Sequence, residues 1–284
     1  MNWKILLGIA LMSVTTLSFT ACGDDDDDSK TSQQNTNGNG ENTGKFLGAK
    51  RVFGENLPKT YVRKDNGADY FRITMSYDAN GFMTKILRER YGSDASKKEW
   101  QISYSDNTCT LAYYKNGEFK GNNVATIGSN GYMSEGTGDG QTMRCTYDGE
   151  YLTTLTVSES DKENKLNMNW QNGNIVQAGW AGSTATSISY TTTPNAGCVM
   201  QYDDGLDIDL DDWEMLYYIG LLGKGTTHLP QAYNKQKSSS KSSAGSNEWS
   251  VDDKGRAVKL VNTQWKLEDG HEYDRTVREY YWEW

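Results

Sequence analysis

Proline and histidine are scarce, with three prolines and two histidines among 284 residues. Few prolines leave few strands interrupted. His228 lies in the polar stretch Lys224-Gly225-Thr226-Thr227-His228-Leu229-Pro230, and His271 sits in Glu268-Asp269-Gly270-His271-Glu272. Both read as surface turns. A Ser-His-Asp triad needs a nucleophile in set geometry, and no Gly-x-Ser-x-Gly elbow is present. Cysteine is sparse too: four residues, none in a CxxC pair, so a zinc knuckle or thioredoxin-like motif is unsupported. Positive charge is in deficit, with Lys plus Arg at 29 against 38 for Asp plus Glu, net −9. A nucleic-acid partner, which wants a basic face, is thereby disfavoured. No glycine-rich phosphate loop is found, and Gly136-Thr137-Gly138-Asp139-Gly140 reads as turns. Beyond the N-terminus no apolar run approaches the roughly 20 residues a bilayer core requires.

What is present begins at that N-terminus. Lys4, an apolar run from Ile5 to Phe19, then Thr20-Ala21-Cys22-Gly23 resemble a bacterial lipoprotein signal. The resemblance implies cleavage before Cys22 and diacylglycerol on its thiol, although Phe19 stands where leucine is usual. The run is too short for a transmembrane helix, and its small residues suit cleavage. Acyl chains anchor through about 0.8 kcal/mol per buried CH2. Five aspartates, Asp24 to Asp28, follow. They resemble the acidic export signal of surface lipoproteins in one Gram-negative phylum, and they also read as a solvated block that keeps a tether extended. Removal of residues 1–21 takes away Lys4, so −9 becomes −10.

The chain therefore divides into a signal peptide (1–21), a lipidated Cys22 with a disordered acidic tether (22–45), and a β-sheet domain (46–284). The tether has no apolar residue to offset the entropy of ordering, and a flexible chain of its length spans roughly 25–30 Å. Cys109, Cys145 and Cys198 remain. Three is odd, so at least one stays a thiol, and the sequence does not choose a pair.

From Thr60 onward, aromatic and β-branched stretches alternate with polar turns. Tyr70 to Tyr77 reads as a strand, Asp78-Ala79-Asn80-Gly81 as a turn, and Phe82 to Arg88 as the return. Degenerate copies follow at Tyr113–Phe119, Ser129–Met133, Tyr147–Leu155, Trp170–Val176 and Trp249–Leu260. One hairpin is marginal in water, whereas several share an apolar face. The expected fold is all-β: a single twisted antiparallel meander with one short helix near 211–223. In that helix Asp211 or Asp212 would cap the start, Trp213, Leu216, Tyr217 and Gly220 would share a face over the sheet, and Gly223 would form the exit. Lys235 to Asn247 reads as a Ser- and Lys-rich loop, and Thr276 to Trp284 as a closing strand.

Tyr77-Asp78-Ala79-Asn80-Gly81-Phe82-Met83-Thr84-Lys85-Ile86 resembles the YD repeats of secreted bacterial proteins. With Gly220-Leu221-Leu222-Gly223-Lys224…Leu229-Pro230 and Tyr280-Tyr281-Trp282-Glu283, it resembles the lipoprotein family called domain of unknown function 4595. The resemblance covers most of the chain after about residue 60. It implies a twisted antiparallel sheet and no established activity. Large YD-repeat shells enclose cargo, and this chain has too few repeats to close such a shell.

Candidate sites are few. The acidic run Asp203–Asp212 makes Asp207, Asp209 and Asp211 candidate Ca2+ ligands, a hard cation taking six to eight oxygens. The EF-hand pattern fails, because position six after Asp207 is Asp212, not glycine; a loop with a helix cap is the plainer reading. No spacing selects a catalytic carboxylate pair. With 18 Tyr and 9 Trp, rings could stack on sugars or proteins. Trp100, Trp170 and Trp180 are the candidate ligand-binding residues, with Trp249 and Trp265 also read as partly exposed, though most rings read as cross-strand packing. The expectation is a non-enzymatic outer-membrane lipoprotein, surface-exposed, without cofactor or nucleic acid, held to the membrane by its lipid and binding a glycan or an envelope protein. The alternatives are a secreted carboxylate-dependent hydrolase and a purely structural envelope protein.

Overall fold

A computed structural model describes residues 46–284, except Asp203, Asp204 and Asp209 and the side chains of Asp211 and Asp212. The signal peptide, Cys22 and the tether lie outside the described residues. The body carries β1 (Thr60–Asp65), β2 (Ala68–Tyr77), β3 (Met83–Arg90), β4 (Ser96–Ser105), β5 (Thr108–Lys115), β6 (Glu118–Ile127), β7 (Met133–Gly138) and β8 (Gln141–Asp148). It continues with β9 (Tyr151–Glu159), β10 (Lys162–Gln171), β11 (Asn174–Trp180), β12 (Thr186–Pro194), β13 (His228–Gln236), β14 (Lys241–Val251), β15 (Ala257–Glu268) and β16 (His271–Glu283). Each strand pairs antiparallel with the next, and β1 pairs with β16, Tyr61 opposite Trp282 and Asp65 opposite Arg278. The meander is thus a closed barrel, not an open sheet. Closure removes both edges, which would otherwise present unpaired N–H and C=O groups.

The repeat has a physical cause at one rim. Six even-numbered strands, β2, β4, β8, β10, β12 and β14, carry an aromatic donor at or past their midpoint that reaches a carbonyl at or near the start of the preceding odd strand. The Tyr77 hydroxyl donates to the Pro58 carbonyl (2.8 Å), Tyr104 to Met83 (3.0 Å), and Tyr147 to Met133 (2.8 Å). Trp170 Nε1 donates to Leu152 (2.7 Å), Tyr190 to Ile175 (3.0 Å), and Trp249 Nε1 to Pro230 (2.6 Å). Several of these aromatics follow a register shift, as at Ser76/Tyr77, Thr146/Tyr147 and Asn169/Trp170. A bulge frees a carbonyl from the ladder, and a ring with a polar tip satisfies it while burying its body. The aspartate after Tyr77 organises the turn: Asp78 Oδ1 accepts from the backbone N–H of Asn80 and Phe82. Asp252 does the same for Lys254 and Arg256.

Barrel polarity is set by alternation. In β10, Leu166 and Met168 point inward at 1% and 5% exposure, while Lys165, Asn167 and Asn169 are exposed. In β4, Trp100 and Ile102 are buried, while Gln101 and Ser103 face out. In these strands the wall is polar outside and apolar inside at mid-height.

A barrel of sixteen strands is too wide for wall side chains alone to fill. The segment 195–227 between β12 and β13 fills it. Val199, Met200, Tyr202, Leu206, Ile208 and Leu210 are buried, as are all of Met215–Ile219. The expected single helix is a 3-10 turn, Asp211–Glu214, followed by the short α2 helix, Met215–Ile219, which ends at left-handed Gly220 (φ 91°) rather than at Gly223. It does not lie over one sheet face. It is buried on all sides, because the sheet curls around it. A second correction concerns Lys235 to Asn247: most of it is strand, with only 237–240 turning between β13 and β14. Lys241, Ser242, Ser243 and Ser246 occupy strand positions, where pairing with β15 overrides weak β propensity. The tail is a strand as expected, and it is the one that closes the barrel.

Candidate functional site

The lumen and its plug are the part of the molecule where side chains from many strands converge. Inward residues from distant strands meet the plug. Gln201 Nε2 donates to the Tyr61 hydroxyl of β1 at 2.5 Å. Tyr218 lies 6.3 Å from the Tyr61 ring, and Phe53 of α1 (Lys50–Phe53) stacks on it at 6.0 Å. The Tyr147 hydroxyl of β8 donates to Leu221 (3.1 Å), and Asn247 Nδ2 of β14 donates to Gly205 (3.0 Å). Contacts to β1, β8 and β14 place the segment inside the ring of strands.

The plug is locked where it leaves the lumen. Glu150 pairs with Lys224 and Arg51 and accepts from the Tyr132 hydroxyl at 3.3 Å. Arg51 lies over the Tyr132 ring, 4.2 Å from its centroid. Burial acts to raise the Glu150 carboxyl, but the Lys224 bond and charge, with Arg51, hold it below its ordinary value. Deeper in, Asp207 accepts from Thr186 Oγ1 (3.3 Å) and pairs with Lys235 (3.6 Å). Its carboxyl is raised by burial, with Lys235 opposing.

Toward the rim opposite the Tyr77 turn, the inward register is basic. Strand pairing puts Arg278, Arg63, Arg88, Arg90, Lys98 and Lys115 on the lumen face of β16, β1, β3, β4 and β5. Arg63 grips the inward Asp65 through Nε (2.6 Å) and Nη2 (2.8 Å). Tyr70, the extra residue of a β2 bulge, receives Arg63 at 4.3 Å and Arg90 at 4.7 Å, and Arg88 lies 4.6 Å from Phe71. Arg278 Nη1 donates to Gln264 at 3.2 Å.

The residues singled out by sequence are scattered. Trp100 is 5% exposed and stacks on Tyr113 at 5.4 Å, so it is core, not a surface platform. Trp170 is half-buried against Tyr151, its indole N–H committed to Leu152. Trp180 is half-buried at the end of β11, and Trp249 and Trp265 are half-buried. Asp207 is engaged by a lysine and a threonine. Asp209 and the Asp211 side chain lie outside the described residues. Among the described residues, no group of three His, Cys, Asp or Glu could hold a metal. His228 Nδ1 meets Asn174 and Thr227 at 3.1 Å, and His271 is exposed at the start of β16. Cys109, Cys145 and Cys198 are free thiols. The basic arc went unseen in the sequence, because its members are separated by up to 215 positions and the net charge points the other way.

No family model and no curated protein matches the chain. Solved structures do. A porin-like protein from Bacteroides uniformis ATCC 8492 superposes with TM-score 0.63 at 13% identity, over 85% of this chain and 97% of that one. A porin-like protein from Bacteroides vulgatus ATCC 8482 gives 0.51 at 12% identity, over 80% and 98%. What this chain shares with them is the fold, a closed antiparallel barrel.

Proposed function

We propose that this chain is a lipid-anchored cell-envelope protein whose barrel stands in water and serves as a non-catalytic binding module for a glycan or protein partner. The observation that carries the reading is barrel polarity. A transmembrane barrel needs an outward apolar band and keeps its polar residues for the lumen. Here the outer wall is largely Thr, Ser, Asn, Gln and charged residues, with scattered apolar positions such as Val62, Leu87, Val261 and Val277 rather than a continuous band. The middle of the lumen is apolar and plugged, with the basic arc toward one rim. That inversion counts against carrying over a pore from the porin-like neighbours. Attachment then falls to acyl chains on Cys22, and Asp24–Asp28 serve as the export address to the outer surface. Likeness to the family called domain of unknown function 4595 is part of the same proposal. The hydrolase alternative finds no support in Asp207, the one described carboxylate of the acidic run with a raised pKa, since a lysine and a threonine already hold it.

One substitution separates anchor from pore. Cys22→Ser should abolish fatty-acid labelling and move the folded barrel into the soluble fraction. Retention in membranes after an alkaline carbonate wash would mean that the strands themselves span the bilayer. Binding is tested with the same soluble chain on glycan arrays and in pull-downs from envelope extracts, where silence in both defeats the module reading.

A further inference from the structure

We infer that the lumen-facing basic arc on β16, β1, β3, β4 and β5 takes an anionic oligosaccharide, its carboxylate or sulfate groups held by arginine and lysine side chains. The inference rests on the binding-module reading and names its ligand class. Three observations carry it. The first is juxtaposition of like charge: Arg88 stands directly opposite Lys98, and Lys98 opposite Lys115, on one face of three neighbouring strands. Like charges directly opposite destabilise a sheet; acids do stand beside the arc, Asp65 on Arg63, Asp94 on Arg90 and Glu118 opposite Lys115, but the bases outnumber them. The second is orientation. Arg63 and Arg90 lie on Tyr70, and Arg88 on Phe71. A ring contact engages the flat face of a guanidinium, and its donors lie in the plane, the geometry that matches a carboxylate or sulfate. Asp65 already holds the Arg63 fork, so of the two arginines on Tyr70 the ligand-binding role falls to Arg90. The third is an unmet donor: Arg90 Nε is buried and has no partner among the described residues.

Charge distribution selects a short ligand. The chain as a whole is at −9, and the outer faces of these strands pair acids with bases, as Glu89 opposite Lys97 and Lys64 with Asp69. The run of like-signed bases is thus confined to the lumen face, where only a short ligand fits beside the plug. A carbohydrate is favoured over an acidic peptide because half-buried Tyr113, stacked on Trp100, offers a ring beside Lys98 and Lys115 for a sugar face.

The test uses the full chain carrying Cys22→Ser. It is titrated calorimetrically with a sulfated heparin hexasaccharide, a galacturonate hexamer and neutral maltohexaose. One or both acidic hexamers should bind and the neutral one should not, and the response of the two acidic probes identifies sulfate or carboxylate as the preferred group. Affinity should fall about tenfold as NaCl rises from about 50 to about 300 mM. Arg90→Gln and Lys115→Gln should each weaken binding by about tenfold while circular dichroism stays native. Absence of binding by both acidic hexamers overturns the inference. So does binding that appears only when Asp24–Asp28 are replaced by serine, which would assign the arc to the chain's own acidic run. A lowered melting temperature in both variants with unchanged affinity makes the arc structural charge balance and also refutes it. Array binding of a neutral glycan that both variants retain would sink this inference and leave the binding-module reading standing.

Discussion

At the residue scale, burial decides chemistry. Cys109 and Cys145 face the lumen, and burial pushes each thiol up to about 12, while Cys198 is raised in the same direction. Reactivity follows the thiolate. In the Cys22→Ser chain, Cys109 and Cys145 should therefore ignore Ellman's reagent at pH 8, and all three thiols should react once urea unfolds the barrel. Glu150 gives a pH prediction. Its folded pKa lies below the ordinary carboxyl value of 4.5, so it contributes stability that is full above pH 4.5 and drains as pH falls through the lower folded value. Its side chain is 40% exposed, so solvent screening holds the contribution under about 1 kcal/mol. Glu150→Gln should lower the urea midpoint at pH 7, and the gap between the two chains should narrow as pH falls below 4.5. Gly220 is a steric requirement: its φ is 91°, and an added Cβ would strike the Gly48 carbonyl. Gly220→Ala should cost about 2 kcal/mol or more in urea unfolding, because backbone strain and a collision with main chain add.

At the element scale, hairpins were legible and their neighbours were not. Tyr77-Asp78-Ala79-Asn80-Gly81 announced its turn because each residue acts locally: the aspartate caps, and Gly81 takes positive φ. Positions such as Asn116 and Asn172 likewise hold positive φ in two-residue turns before glycine. The Lys235–Asn247 stretch misled because it is polar on both faces, Lys235 and Asn247 reaching plug residues Asp207 and Gly205, and a strand without apolar alternation looks like a loop. The short helix was recognisable from its apolar spacing, but its environment was not. A stripe of Leu216 and Tyr217 implies one buried face, whereas the structure buries Met215 through Ile219 entirely. Tyr218→Ala removes a ring that packs on Tyr61 and Phe53. It should cost about 3–5 kcal/mol in urea unfolding, since the enclosed plug cannot collapse to fill the gap.

At the scale of the whole molecule, the sequence by itself determined the class: antiparallel, all-β and turn-rich, with a short apolar helix in the 211–223 stretch and a lipoprotein-like leader expected to sit at an envelope; α1 (Lys50–Phe53) is a second short helix that went unread. Those properties follow from local alternation, turn chemistry and N-terminal composition, which are written along the chain. Tertiary structure alone decided that the meander closes, that residues 195–227 fill it, and that bases from β16, β1, β3, β4 and β5 share one lumen face. Closure depends on twist and register accumulated over sixteen strands, so no single hairpin carries it. A plug is recognisable only when there is a lumen for it to occupy. Asp65 and Arg278 stand opposite each other only because β1 pairs with β16, a contact between the two ends of the domain that no local pattern encodes.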